Sequence, residues 1–224
     1  MLNERYKKRN DNDLNAIRQN DRVSDRFNLD AFKKILSSND DTYRAGVYAD
    51  QRLKLLGTGS SRSAYMLTSK KVIKIAINVK GIAQNEVEVD VFTDPETKRV
   101  VARIFDYDAK YKFIISELVH EFSDDDEAKK ALGMKQKIGW YATFNRMMYL
   151  LCKEANIDDL IYQFSENEKN TKLENFLIGM STMIDNHDLR DGDMIYNHFG
   201  RTSDGHVVIL DYGYNDDVYE KYYM

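Results

Sequence analysis

The sequence predicts an α+β protein of two lobes: a small five-stranded sheet with one inserted helix, followed by a helical lobe. Three observations predict it. Between Arg52 and Leu118, short segments rich in Val, Ile, Tyr, Phe and Leu alternate with turn signals, the texture of strands. Beyond Glu121 the apolar residues recur at steps of three and four, the texture of helices. The chain of 224 residues is 42% hydrophobic, enough apolar side chain for a core and for two lobes sharing one cleft.

Residues 1–45 are strongly polar and hold two short helix candidates. In the second, Phe27, Leu29, Phe32, Ile35 and Leu36 fall on one side, and Ser37-Ser38-Asn39-Asp40 ends it. The apolar positions are sparse, so the segment reads as a docked N-terminal helical extension. Lys7-Lys8-Arg9, with acidic residues on both sides, reads as a solvated helix face. Residues 46–119 form the first lobe, with strands at Arg52–Leu56, Ala64–Thr68, Val72–Ala76, Val100–Tyr107 and Phe113–Leu118. A helical pattern over Gly81–Phe92 interrupts them and ends near Asp94-Pro95, because a residue before proline avoids the α region.

Residues 120–224 form the second lobe. Acidic Ser123-Asp124-Asp125-Asp126-Glu127 reads as a helix start. Helices follow over 135–152, with Ile138, Tyr141, Phe144, Met148 and Leu151 as the buried stripe, and over 171–184, with Leu173, Phe176, Leu177, Met180 and Ile184. The chain then returns to strands at Met194–Tyr196 and Val207–Leu210, joined through the turn Ser203-Asp204-Gly205-His206. The tyrosines at 212, 214, 219, 222 and 223 read as packing against the back of the cleft.

Composition excludes several functions. With 33 basic against 37 acidic residues, the net charge of -4 speaks against a dedicated nucleic-acid binder. No run approaches the ~18 apolar residues of a membrane span, and no apolar h-region follows Met1-Leu2-Asn3-Glu4-Arg5. A single cysteine, Cys152, excludes an internal disulfide and a cysteine metal cluster, so a cytoplasmic protein is expected. Cys152 falls on an apolar helix pattern and is expected as a buried small hydrophobe. Histidines 120, 187, 198 and 206 have no metal-ligand spacing.

The candidate chemistry begins at Gly57-Thr58-Gly59-Ser60-Ser61, between two strands. Glycines let backbone approach a phosphate, and turn N–H groups and hydroxyls can donate to it; the same residues also suit an ordinary hairpin loop. Lys74 lies inside the apolar strand Val72-Ile73-Lys74-Ile75-Ala76, where a lysine either snorkels from an edge or has a fixed anionic partner. Next comes a helix with Glu86 and Glu88, then much later Asn186-His187-Asp188-Leu189-Arg190-Asp191-Gly192-Asp193. A strand, Val207-Val208-Ile209-Leu210, then delivers Asp211-Tyr212-Gly213.

In that order and spacing the chain resembles the protein-kinase-like superfamily, and looks most like the compact kinase-like proteins of bacteriophages and bacteria. The resemblance spans roughly residues 50–215 and implies a two-lobed kinase-like fold with a truncated helical C-lobe. It also implies transfer of the γ-phosphate of ATP, with Mg²⁺, to a protein or small-molecule acceptor, in the cytoplasm (a host cytoplasm for a phage-encoded member). Gly57 and Gly59 match the first two loop glycines, and Arg62 stands at the third. Gly57, Thr58, Gly59, Ser60 and Ser61 would cradle phosphates, and Lys74 would hold the α/β-phosphates with Glu86, or else Glu88, fixing its ammonium. Asp211 and Asp193 would ligate the metal, Asp188 would accept or orient the acceptor's proton, and Arg190 would offset charge on the transferring group. Backbone groups of Glu117–Val119 would face the adenine.

The departures are specific. Asp193 replaces the usual asparagine ligand, His187 the usual arginine, and Tyr212 the usual phenylalanine. Eleven residues follow Gly213, too few for the family's activation segment and peptide-docking helices, so an acceptor is expected to dock elsewhere, on residues 1–45 or on a partner. The competing expectation is a catalytically impaired, nucleotide-binding regulatory or assembly protein of the pseudokinase type.

Overall fold

The computed structural model describes residues 26–39, 42–135, 139–165, 167, 169–189 and 196–224. Several expectations therefore lie outside the described residues: the Lys7-Lys8-Arg9 face, Ile138, Arg190, Asp193 and the strand residues Met194 and Ile195.

The first lobe is a five-stranded antiparallel sheet, β1 (Lys54–Thr58), β2 (Arg62–Met66), β3 (Lys71–Ala76), β4 (Ile104–Tyr107) and β5 (Phe113–Glu117), in the order β1-β2-β3-β5-β4. Lys74 pairs with Ala64 on one side and Ile114 on the other, and Ile73 with Tyr65 and Ile115. Since side chains alternate across a strand, this register sends Tyr65, Ile73, Ile75, Phe113 and Ile115 to one face and Ala64, Lys74 and Ile114 to the other. Both faces are covered, which is why Val72–Ala76 reads as a nearly continuous apolar run.

Helices α1 (Leu29–Asn39) and α2 (Thr42–Asp50) cover the outer face. Phe32 is fully buried and packs edge-on to Phe113 at 5.4 Å, and Leu36, Ala45 and Ala49 complete the same core with Ile73 and Ile75. The polar segment thus supplies the wall of the first lobe, and the expected division between residues 45 and 46 falls inside α2. Tyr65 ties this wall to the sheet by donating to Asp50 Oδ1 at 2.8 Å. Burial, and after it Asp50, pushes the Tyr65 hydroxyl up to about 12. A phenol whose folded value lies above its unfolded value of about 10 stabilises fully below that pH and loses its contribution as pH rises towards the folded value. Stability, followed by circular dichroism, is therefore expected to fall between pH ~10 and ~12, and Tyr65→Phe to flatten that slope.

Helix α3 (Val79–Thr93) packs on the inner face and begins at Asn78, whose side chain accepts from the Lys80 and Gly81 N–H groups. Its buried positions, Gly81, Gln84, Asn85, Glu88, Val89 and Val91, recur at helical steps although three are polar. After β5 the chain enters a second sheet, β6 (His120–Glu121), β7 (Phe199–Arg201) and β8 (Val207–Ile209). Helices α4 (Asp125–Ala131), α5 (Trp140–Leu151), α6 (Ile157–Phe164) and α7 (Thr171–His187) share a core in which Phe144 and Phe176 meet Phe199 at 5.1 and 5.9 Å. The closing helix α8 (Asp216–Tyr222) packs against α3. Among the described residues, no helix is long and apolar enough to cross a membrane.

Three expectations need correction. The strand placed at Val100–Tyr107 starts only at Ile104, because residues 95–100 turn and Val101 bridges to Ile209 instead. Of the strand placed at Met194–Tyr196, the described residue Tyr196 opens a 3₁₀ turn, Tyr196–His198, and a strand follows at Phe199–Arg201. Cys152 is exposed, because it caps the end of α5 where the helix leaves its core.

Candidate functional site

Strand β3 carries Lys74 to the inner face, and α3 lies across it with Glu88 turned inward. Lys74 Nζ contacts both carboxylate oxygens of Glu88, at 2.9 and 2.8 Å, and donates to the Leu210 carbonyl at 2.6 Å. The Glu88 side chain is 1% exposed. Glu86, the first choice of partner, is exposed, because two positions along a helix rotate a side chain to a different face. The ion pair is Lys74–Glu88.

The Leu210 carbonyl matters because the next residue is Asp211. Strand β8 ends at Ile209, Leu210 N–H donates to the His198 carbonyl, and Asp211 follows at the cleft. Tyr212 is buried and donates to the Ala102 carbonyl at 3.0 Å, which anchors the turn from below. Burial and the negative charges of Glu88 and Asp211 raise the Tyr212 hydroxyl well above its ordinary range, outweighing Arg62, so it stays a donor. At Gly213 a Cβ would meet the Gln84 carbonyl oxygen at 2.4 Å, so only glycine lets this turn close onto α3.

The glycine loop is joined to the same helix. Ser61 is buried, its hydroxyl donates to Gln84, and a Cβ on Gly81 would strike the Ser61 carbonyl oxygen at 2.1 Å. Ile77 N–H and Asn78 Nδ2 donate to the Ser61 and Ser60 carbonyls. Two parts of the loop are thus already engaged within the fold. Gly57 and Thr58 are the end of β1, paired with Ala64 and Ser63, and the Ser61 hydroxyl is committed to Gln84. The tip is Gly59-Ser60, where a Cβ on Gly59 would meet nothing nearer than the Arg62 carbonyl oxygen at 3.9 Å.

Sequence reasoning missed the part played by Arg62. It lies on β2, opposite Ala76, and alternation puts it on the same face as Ala64 and Lys74. Its side chain is 9% exposed; one nitrogen donates to Glu88 at 2.7 Å and to Asn85 at 3.3 Å, and the other to Asp211. Desolvation opposes the charge on each partner. The Glu88 and Asp211 carboxylates nevertheless hold the Arg62 guanidinium above its ordinary value, and Arg62 and Lys74 hold Asp211 well below the usual carboxylate range. The register of β2 was the available signal.

Asp188 follows α7 in the left-handed conformation, φ 50° and ψ 38°, and is exposed. Its N–H donates to the Met183 carbonyl, its own carbonyl accepts from Asp216 N–H at 3.1 Å, and Leu189 bridges to Asn215. His187 Nε2 lies 3.1 Å from Asp94 Oδ2, tying the end of α7 to the end of α3. At the link between the lobes, Glu117 N–H donates to the Arg103 carbonyl and Leu118 N–H to the Lys70 carbonyl, both at 2.8 Å. The structure thus gathers Lys74, Glu88, Asp211 and Arg62 beside the glycine loop, and binds Asp188 by backbone to the segment that follows Asp211.

No protein-family model and no curated protein matches the sequence. Among solved structures, the chain is similar to the streptomycin–ATP–APH(2'')-IIa ternary complex, at 11% identity over 84% of this chain and 71% of that one, with a TM-score of 0.39. It is similar to ADP-bound aminoglycoside phosphotransferase APH(2'')-Ib at 12% identity, covering 78% and 70%, with a TM-score of 0.38. The GDP and kanamycin complex of APH(2'')-IIia is similar at 16% identity, covering 73% and 67%, with a TM-score of 0.36.

Proposed function

We propose that the protein is an ATP-dependent phosphotransferase of protein-kinase-like type, with a protein or small-molecule acceptor. The observation that carries this reading is the Lys74 ammonium, held at once by the buried Glu88 carboxylate and by the carbonyl next to Asp211. A lysine so fixed presents its charge at one point of the cleft, as transfer by positioning and charge neutralisation requires. The open space at Gly59 supports it too, since the fold itself does not demand glycine there and a close phosphate would.

Mg²⁺ fits the residues in kind. Asp211 is a half-exposed carboxylate held ionised at the end of a strand, a hard oxygen donor. Such an ion takes further oxygens from phosphate and water. Asp193 is the proposed second ligand. When bound, the ion would supply positive charge to the β/γ-phosphate oxygens.

The chain's own residues do the rest. Lys74 holds the α/β-phosphates, positioned by Glu88; Gly57–Ser61 cover them, with Gly59 and Ser60 nearest. Asp188 receives the acceptor hydroxyl's proton as its oxygen attacks the γ-phosphorus and the bond from that phosphorus to ADP breaks, and Arg190 offsets charge on the transferring group. Because the Glu117 and Leu118 N–H groups are already engaged, recognition of the base falls to the Glu117 carbonyl and the Val119 backbone.

Arg62 on Asp211 favours a second reading, a nucleotide-binding regulatory or assembly protein without transfer. MgATP at 100 times its dissociation constant is expected to raise stability by about 2.7 kcal/mol, or ~5–11 °C in Tm. Both readings fail if the melting curve is unmoved at millimolar MgATP. Label from the γ-phosphate appearing on a lysate component, and lost in Asp188→Asn, selects the enzyme; stabilisation with no transfer selects the regulator.

A further inference from the structure

Arg62 has no part in the transfer chemistry above, yet its guanidinium donates to Glu88, Asn85 and Asp211. Among the described residues, two cations, Arg62 and Lys74, face two carboxylates, Glu88 and Asp211, and these four charges balance. Within these four groups, a free divalent ion approaching Asp211 meets no uncompensated negative charge and two positive ones. The two ends of the guanidinium differ. The nitrogen on Glu88 and Asn85 sits in the buried interior, while the nitrogen on Asp211 faces a carboxylate that is 50% exposed. That outer bond can be given up while the inner ones persist. A planar guanidinium accepts phosphate in place of carboxylate with the same fork geometry.

We propose that Arg62 is the resident counter-ion of Asp211, and that it makes divalent metal binding there conditional on a polyphosphate. A nucleotide tail brings the negative charge that the neutral cluster lacks, takes over the outer nitrogen of Arg62, and leaves Asp211 open to the metal that enters with it. Metal alone does not bind; metal with polyphosphate does. This rests on reading the cleft as a nucleotide site, and it adds a residue that couples the two ligands.

Mn²⁺ is the probe, followed by water-proton relaxation enhancement on the whole chain. Wild type with Mn²⁺ alone should show no saturable enhancement at millimolar metal. Wild type with Mn²⁺ and ATP should show it, and Asp211→Asn should lose it. Arg62→Gln, which keeps a donor for Glu88 without the charge, should bind Mn²⁺ without nucleotide at least about tenfold more tightly than wild type. Asp211→Asn in that background should remove the gain. Saturable, Asp211-dependent Mn²⁺ binding to wild type without nucleotide overturns the proposal, as does a folded Arg62→Gln with no new site. If Arg62→Gln does not fold, saturable Asp211-dependent binding of Mn²⁺ to wild type without nucleotide still overturns the proposal. Thermal stabilisation by MgATP, read on the same samples, judges the nucleotide site separately: stabilisation without the predicted Mn²⁺ pattern sinks the role of Arg62 only. No stabilisation, with Mn²⁺ gained in Arg62→Gln, sinks the nucleotide reading and leaves the counter-ion in place.

Discussion

Asp188→Asn is expected to lower phosphate transfer by about 100- to 10,000-fold, the usual contribution of a positioned general base, while nucleotide affinity stays within about twofold of wild type. The backbone makes this substitution unusually clean. Asp188 sits at φ 50°, in the left-handed region that asparagine occupies as readily as aspartate, and its side chain is exposed. Asparagine also keeps the size of the side chain, and the backbone bonds to Met183 and Asp216 are indifferent to the change. What disappears is the ability to take a proton. The check is label transfer from the γ-phosphate beside a melting curve with MgATP. Transfer at the wild-type rate would remove Asp188 from the role of base.

Glu88→Ala is expected to cost about 3–5 kcal/mol of stability, the range for breaking a buried ion pair from one side. In a domain of this size that is ~6–20 °C in Tm. The reason is the two cations it leaves behind: Lys74 keeps the Leu210 carbonyl and Arg62 keeps Asp211 and Asn85, but the charge that both face in the buried interior is gone. Glu86→Ala, two positions away on the same helix and exposed, should stay within about 0.5 kcal/mol. Thermal or urea unfolding of the two variants side by side decides the matter. Equal losses would mean that the pair does not hold α3 to the sheet.

These two glutamates also show where sequence reading stopped. Strand and helix positions in the first lobe were legible because the apolar period changes from 2 to 3.6, and that period follows from backbone geometry. The choice between Glu86 and Glu88 was not, because the inward face of α3 carries Gln84, Asn85 and Glu88, polar residues that an apolar stripe does not mark. Their spacing from Gly81 contained the answer only once Gly81 was known to press on Ser61. Cys152 misled for a similar reason: the period placed it on a helix, but its position at the end of α5 left it outside the core. Residues 1–45 looked too polar to be more than an extension, but a helix that covers one face of a sheet needs few apolar residues if each is large and fully buried, as Phe32 and Leu36 are.

By itself, the sequence determined the five strands and inserted helix of the first lobe, the place of Lys74 on β3, the glycine loop and the strand that leads into Asp211. Each depends on local period, turn chemistry and order along the chain. Only the tertiary structure decided which groups meet: Glu88 with Lys74, Ser61 with Gln84, Arg62 with Asp211 across 149 residues of chain. Those pairings are set by strand register and by how α3 is wedged between Gly213 and the loop. Burial makes them binding, because a charge removed from water must find its opposite or cost several kcal/mol, about the stability of a whole domain. Local pattern can place a charge on a face; it takes the packed fold to say what stands opposite.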